Sequence, residues 1–338
     1  MSRTPKWTLR IFLMLVAGIF CLSGCHRGKT PEEIVVYCGV DEPYASQVFA
    51  DFEKATGLHV AVRYDIESSK SVGLAGRLEA EVDHPRADVW WGSEAFLTVR
   101  LASEGVLAPY APPGTADISD DFKNAQGYWT GVGVRARVLA VARGSMKPAF
   151  AITGIADLAD PRLKDRVAMS RPTAGATGAH IAALYVVWGP EKARAFFRKL
   201  HANGMALLGG NAEVADQVGT GNYSLGLTDS DDVTNAAAND GKLDQVVPDQ
   251  AGAGTLAMPT TVALVKGSKQ EANAKKLIDY LVSKQAEQKL IDLKFARWSV
   301  RSGAGKNIRA MKVDYDAAAK IYPRAQREAT EILDGRTP

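Results

Sequence analysis

Apolar residues follow two alternating patterns along the chain, and these patterns predict a regular succession of strands and helices. The short apolar run Ile34 to Gly39 indicates a strand, and the amphipathic stretch Glu42 to Thr56 indicates a helix. Further strands are expected at 59–65 and 88–92, with a helix through Leu78 between them. Short strands that alternate with helices favour an α/β fold with a mainly parallel sheet.

Two longer extended runs, Trp129 to Arg143 and Thr255 to Val265, interrupt this order. Between them a second series is expected, with strands at 166–170 and 223–227 and helices at 176–188, 190–201 and 211–218. One helix over 272–292 and a helical tail from Tyr315 are expected to complete the chain.

This organisation predicts two lobes joined by a two-strand hinge, because each extended run connects two α/β blocks. The chain that remains after residues 1–24 is also longer than a single core usually accommodates. We therefore expect lobe 1 over 33–132 and 258–300, and lobe 2 over 133–257 and 301–338.

The N-terminus has the layout of a secretory signal, with three basic residues before a short apolar run, Ile11 to Cys21. The next four residues, Leu22-Ser23-Gly24-Cys25, resemble a bacterial lipobox. That resemblance implies cleavage after residue 24, a lipid on Cys25, a tether over 25–32 and a location in the periplasm or cell envelope. The alternative is an ordinary signal peptide that happens to precede a cysteine.

Removal of the signal changes the net charge of the chain. The full chain has 41 Lys+Arg and 38 Asp+Glu, and the signal carries three of the basic residues, so 41 − 3 = 38 basic residues balance 38 acidic ones. A neutral mature chain without clustered basic residues gives no reason to expect a nucleic-acid partner. It also contains no polybasic membrane segment, so contact with a membrane is expected only through the lipid anchor.

Several stretches, in the right order, resemble bacterial solute-binding proteins of ABC transporters, in the subgroup that includes periplasmic ferric-ion-binding proteins. They are Val36–Gly39 with Asp51–Gly57, Ala87–Trp91 with Leu101–Tyr110, Tyr128–Leu139, and Asp157–Ala168. The resemblance implies a two-lobed periplasmic-binding-protein fold of type II, in which each lobe is a mainly parallel sheet flanked by helices. It also implies a monomeric, non-enzymatic receptor that captures its ligand between the lobes and delivers it to the permease of an ABC importer.

Candidate ligand-binding residues follow the predicted strands, where open α/β sheets hold their ligands. Asp41 and Glu42 come directly after the first strand, although a helix N-cap explains this position equally well. Glu67 follows the second strand, and exposed loop polarity explains it as well.

A second candidate segment, Arg171 to Thr177, lies between a predicted strand and an apolar helix. Small residues at such a turn let backbone N–H groups approach an anion, and the helix dipole favours negative charge there. By the resemblance, Thr173, Gly175, Ala176, Thr177 and Asn211 would form or adjoin a cup for an anion.

The third candidate segment holds three carboxylates in four residues, Asp229, Asp231 and Asp232, with the adjacent pair expected on one loop. Such carboxylates repel one another unless a cation compensates their charge, so a cationic ligand or a strong array of hydrogen-bond donors is expected there. Ferric-binding relatives place two tyrosines where this chain has Asp231 and Asp232, and often a histidine where it has Asp41. The resemblance therefore implies the scaffold but not the usual iron ligands.

Ferric iron is the ligand expected from the sequence, and a small organic molecule is the alternative. Fe(III) would be held by Asp41, Asp231 and Asp232 together with carbonate or phosphate, since hard cations prefer oxygen ligands. The organic alternative is a molecule such as 2-aminoethylphosphonate, with a thiamine-like or polyamine-like cation as a weaker option. A hydrolase that uses paired carboxylates is a remote alternative, because the chain has no GxSxG, Walker or HExxH motif.

Overall fold

The computed structural model describes residues 33–65, 72–173, 175–301 and 308–336. Among these residues, no helix is both long and apolar enough to cross a membrane. Cys25 and the signal, the tether up to residue 32, and Glu67 lie outside the described residues.

Ten strands form the sheet of the described chain. In chain order they are β1 Ile34–Cys38, β2 Val60–Tyr64, β3 Val89–Gly92, β4 Leu107–Ala108, β5 Thr130–Ala142, β6 Val167–Ser170, β7 Ala206–Leu208, β8 Leu225–Asp229, β9 Leu243–Val246 and β10 Ala257–Val265.

In the part of the chain that the structure describes, ten α-helices accompany these strands. They are α1 Glu42–Thr56, α2 Val72–Ala80, α3 Ala95–Ser103, α4 Gly175–Trp188, α5 Pro190–Ala202, α6 Asn211–Gly219, α7 Ser230–Ala238, α8 Glu271–Leu281, α9 Lys284–Asp292 and α10 Tyr315–Leu333.

The sheet has two parallel halves with an antiparallel centre. Its strand order is β2-β1-β3-β10-β5-β8-β6-β7, and β4 and β9 pair with β10 and β5 off this path. In the first half, strands β2, β1 and β3 are parallel to one another, and in the second half so are β8, β6 and β7. The central strands β5 and β10 run antiparallel to their neighbours.

The long strand β5 belongs to both halves. Its residues 130–136 pair with β10, and residues 137–141 pair with β8. Every residue of β5 is buried, because the strand runs through the middle of the molecule. The change of partner falls between Ala136 and Arg137, so side chains at this point lie where the two halves meet.

The C-terminal helix α10 packs against helices of both halves. It contacts α3, which follows strand β3 of the first half, and α4 and α5 of the second. Tyr322 is buried on this helix, and its hydroxyl donates a 3.3 Å hydrogen bond to the carbonyl of Gly175, the first residue of α4.

Most of the strands and helices predicted from periodicity are confirmed, including both extended runs and the helical tail. The single helix expected over 272–292 was wrong. It is two helices, because the Ser283 hydroxyl accepts a hydrogen bond from the backbone N–H of Ala286 and starts α9. The short strands β4, β7 and β9 and the helices α3 and α7 were not predicted.

Candidate functional site

A polar cleft lies where the carboxyl ends of the parallel strands meet the N-termini of the following helices. It is lined by Asp41, Ser93, Arg135, Ser170, Arg171, Thr173, Gly175, Ala176, Gly209, Gly210, Asn211, Asp229 and Asp232. Asp41 and Ser93 come from the first half of the sheet, and most of the others come from the second. The cleft thus has walls from both halves, with Arg135 of the central strand β5 between them.

The first-half wall contains Asp41, the residue before helix α1. Its side chain makes no capping hydrogen bond to the helix, so N-capping does not account for its position. Pro43 occupies the first turn of this helix, as is common at helix starts. Glu42 is exposed and does not line the cleft.

The acidic cluster lies at the start of helix α7. Asp229 ends strand β8, and Asp231 and Asp232 lie in the first turn of α7. The expectation that the adjacent pair lies on a loop was therefore wrong, because the helix begins at Ser230. Negative charge in a first helical turn is favourable, since it faces the positive end of the helix dipole.

Two buried arginines of β5 compensate this cluster. Nη1 of Arg135 lies 3.2 Å from Asp229 Oδ2 and 3.2 Å from Asp231 Oδ2. Nη2 of Arg135 donates a 3.0 Å hydrogen bond to the carbonyl oxygen of Ser93, on the opposite wall. One guanidinium thus joins both halves of the molecule.

Arg137, two residues further along strand β5, also compensates the negative charge of the acidic cluster. Its Nη1 lies 2.5 Å from Asp229 Oδ1 and 3.0 Å from Asn211 Oδ1, and its Nη2 lies 3.3 Å from Thr177 Oγ1. Thr177 and Ser170 also share a short hydroxyl–hydroxyl contact. Thr177 therefore lies behind the cleft and supports the residues that line it.

Burial and charge act in opposite directions on these groups. Burial raises the pKa of Asp231 to about 6. The positive charge of Arg135 opposes this rise, and the negative charges of Asp229 and Asp41 add to it. Burial also lowers the pKa of Arg135, but the carboxylates of Asp231 and Asp229 more than offset this and leave it raised. The arginine thus stays charged, whereas Asp231 accepts a proton under mildly acidic conditions.

The second-half wall is built mainly from small residues at two helix starts. Helix α4 begins at Gly175, whose φ of 55° is a left-handed conformation that favours glycine. Helix α6 begins at Asn211, and its N-cap Gly210 supplies no side-chain hydrogen bond. Because the first N–H groups of a helix have no partner within the helix, this wall is suited to an anion.

The structure brings together residues from all three segments singled out in the sequence. Asp41, Thr173, Gly175, Ala176, Asn211, Asp229 and Asp232 line one cleft, whereas Asp231 is buried behind it at 3 % exposure. Trp90 and Trp91 are fully buried in the core, so neither stacks on a ligand.

Arg135 and Arg137 are the main residues of the site that were not predicted from the sequence. Their signal was present in the sequence, since Arg135 and Arg137 are charged residues two apart in an otherwise apolar strand. Residues two apart on a strand share a face, and an arginine is rarely buried without a partner. The cation that the aspartates require was therefore encoded in the chain itself.

Comparison with known proteins identifies the family. The family profile for bacterial extracellular solute-binding proteins matches residues 34–292. The chain belongs to this family. Such solute-binding proteins are non-enzymatic transport components that deliver a ligand to ABC permeases, and they work outside the cytoplasm.

Individual relatives of this solute-binding protein bear names that refer to different ligands. It is 26% identical to "Iron uptake protein A1" of Synechocystis sp. over an alignment of 362 positions, which covers 97% of this chain and 98% of that protein. It is 26% identical over 304 residues to a "Putative 2-aminoethylphosphonate-binding periplasmic protein" of Salmonella typhimurium, covering 87% of this chain and 80% of that protein.

A solved structure supports the same fold. The apo ferric ion-binding protein A of Pasteurella haemolytica superposes with a TM-score of 0.78 at 22% identity, over 89% of this chain and 97% of that one. The expected α/β fold, a type II periplasmic-binding-protein fold with helices flanking the sheet, is thereby confirmed, as is the resemblance read from the sequence.

Proposed function

We propose that this solute-binding protein captures a small zwitterion, with a phosphonate or phosphate at one end and an ammonium at the other, such as 2-aminoethylphosphonate. The observation that carries the proposal is the composition of the cleft. It combines a wall of helix N-termini and hydroxyls with a wall of carboxylates, and arginines already compensate part of the acidic charge.

The anionic end fits the second-half wall. Thr173 lines this wall with its hydroxyl, and the first turns of α4 and α6 offer backbone N–H groups beside Gly175 and Gly210. Tetrahedral oxyanions bind well at such sites, because several oxygens accept hydrogen bonds at once and the helix dipoles favour their charge. Arg171 also reaches this wall, while its guanidinium pairs with Asp334 at the surface.

The cationic end fits the carboxylates at the other side of the cleft. Asp41 and Asp232 both line it and are half-buried, which weakens competition from water for a bound ammonium. Asp41 belongs to the first half and Asp232 to the second. A ligand held by both would draw the halves together and shift an open–closed equilibrium towards the closed form.

Ferric iron with carbonate or phosphate is the second candidate. It is favoured by the oxygens of Asp229, Asp231 and Asp232, which lie within 4.8 Å of one another. Against it, the buried guanidiniums of Arg135 and Arg137 pair with two of these three carboxylates. A trivalent ion at the cluster would have to approach these positive charges closely, which is unfavourable in a buried site.

For the whole receptor, we propose that lobe 1 comprises 33–132 and 258–300, and that lobe 2 comprises 133–257 and 301–338. The protein acts as a monomer, is anchored through a lipid on Cys25, catalyses no reaction and docks in its closed form onto the permease of an ABC importer.

Native mass spectrometry tests the ligand class. The mature chain is secreted to a periplasm, purified without chelators and then incubated with 2-aminoethylphosphonate or ferric citrate in parallel. We expect an adduct of one aminophosphonate per chain and no iron adduct. An iron adduct, alone or with carbonate or phosphate, in place of the aminophosphonate would establish the second candidate instead.

A further inference from the structure

We infer that Arg135 is a specificity-determining residue: its guanidinium occupies the position of a cation in an oxygen-lined site and excludes metal ions from the cleft. This inference rests on the proposed location of the ligand in the cleft, but not on the identity of that ligand. It predicts that the removal of one side chain converts the site into a metal site.

The surroundings of the guanidinium are those of a cation-binding cage. Three oxygens lie within 3.2 Å of its nitrogens, from Asp229, from Asp231 and from the carbonyl of Ser93. Asp232 adds a third carboxylate to the cluster. Carboxylates together with a backbone carbonyl are the ligands that calcium and other hard cations use in proteins.

The guanidinium is held firmly in this position. Arg135 is 3 % exposed, and its guanidinium carbon lies 4.8 Å from the centre of the Phe295 ring, which is itself buried. An arginine stays positively charged at every physiological pH, because even its ordinary pKa lies far above that range. A metal ion therefore meets a permanent positive charge at the point where the carboxylates converge.

Access to the cage also depends on this side chain. Arg135 lines the cleft, whereas Asp231 is buried behind it. Removal of the guanidinium would leave a space that is open to the cleft and bordered by the oxygens that now accept its hydrogen bonds. A cation could enter that space and take over both the charge compensation and the link between Ser93 and the acidic cluster.

The test compares metal binding by the wild-type mature chain and by its Arg135→Met variant. Equilibrium dialysis against calcium chloride and, separately, ferric citrate, followed by elemental analysis, measures bound metal per chain. We expect the variant to bind about one ion per chain, at least tenfold more tightly than the wild type does. Arg143→Met, which removes an exposed arginine just beyond the same strand, is the matched control and should bind like the wild type.

A second variant shows where the metal binds. Arg135→Met combined with Asp231→Asn removes one carboxylate of the cage and should lose the metal that the single variant gained. If Arg135→Met is unstable without metal, calcium should raise its thermal midpoint and leave that of Arg143→Met unchanged, because a bound ion stabilises the folded state.

Two results would overturn the inference. One is an ion bound by the wild type that Asp231→Asn removes, since Arg135 would then not exclude metal. The other is an Arg135→Met variant that gains neither a bound ion nor a calcium-dependent rise in thermal midpoint. Failure of the wild type to bind 2-aminoethylphosphonate would contradict the proposed ligand but leave this inference intact.

Discussion

At the scale of single residues, the site depends on how buried charges are balanced. Asp229 and Asp231 are almost completely buried, and buried carboxylates are tolerated only with partners. The sequence indicated that three aspartates need compensation, and a cationic ligand or a strong array of donors was expected to supply it. The structure shows that Arg135 and Arg137 supply it.

Replacement of Arg135 by Met should destabilise the protein by about 3–5 kcal/mol at neutral pH, because two buried carboxylates lose a partner. The loss should depend on pH. The pKa of Asp231 is raised in the folded state, so the stability linked to its protonated form is fully present below its unfolded pKa and is lost as pH rises through about 6. Without Arg135 the pKa rises further, so the destabilisation should shrink as pH falls from 7.5 to 4.5.

Urea unfolding followed by circular dichroism at pH 7.5 and 4.5, in metal-free buffer, measures this effect. Arg143→Met is again the matched control and should show no measurable loss at either pH, since Arg143 and its partner Asp244 are both exposed. An equal loss at both pH values for Arg135→Met would show that Asp231 is not the group that responds.

At the scale of helices and strands, the packing of α10 on α4 fixes the second-half wall. Gly178 is the fourth residue of α4, and a Cβ there would collide with the hydroxyl of Tyr322 and come within 2.8 Å of its ring carbon Cζ. Tyr322 is 1 % exposed and has little room to move. This close contact brings α10 against the helix whose first residue, Gly175, lines the cleft.

Gly178→Ala should therefore destabilise the protein by about 1–3 kcal/mol, because overpacking outweighs the helix preference of alanine. Gly76→Ala in α2 is the matched control, since a Cβ there has nothing within 4 Å, and it should stabilise the protein by about 0.5–1 kcal/mol. Thermal unfolding of both variants measures the difference. Stabilisation by both substitutions would mean that α10 does not pack closely on α4.

The elements that sequence reasoning predicted are those with clear periodicity. Helix α1, both extended runs and the C-terminal helix have regular patterns and were found. Helix α3 was missed because it is buried on nearly all sides and lacks a polar face. Helix α7 was missed for the opposite reason, because its first turn, Ser230-Asp231-Asp232, is polar and was interpreted as a loop.

At the scale of the whole molecule, the family and the position of the polar cleft could be predicted from the sequence. The rule that ligands bind beyond the carboxyl ends of strands brought Asp41, Asn211 and Asp229 together correctly, although they are far apart in the chain. The sequence indicated that Arg135 and Arg137 need buried partners, but it could not show that the partners are Asp229 and Asp231, because the pairing depends on how β5 aligns with β8. That depends on register, which local sequence does not specify.

The most direct test of the proposed function is a calorimetric titration of the mature chain with 2-aminoethylphosphonate and with two ligands that each retain one of its ends. Ethylphosphonate lacks the ammonium, and ethanolamine lacks the phosphonate. If the cleft holds both ends, the intact zwitterion should bind at least about 100-fold more tightly than either, a difference of about 2.7 kcal/mol. The proposed function would be contradicted if ethylphosphonate bound as tightly as 2-aminoethylphosphonate. It would also be contradicted if none of the three ligands bound while ferric citrate bound tightly.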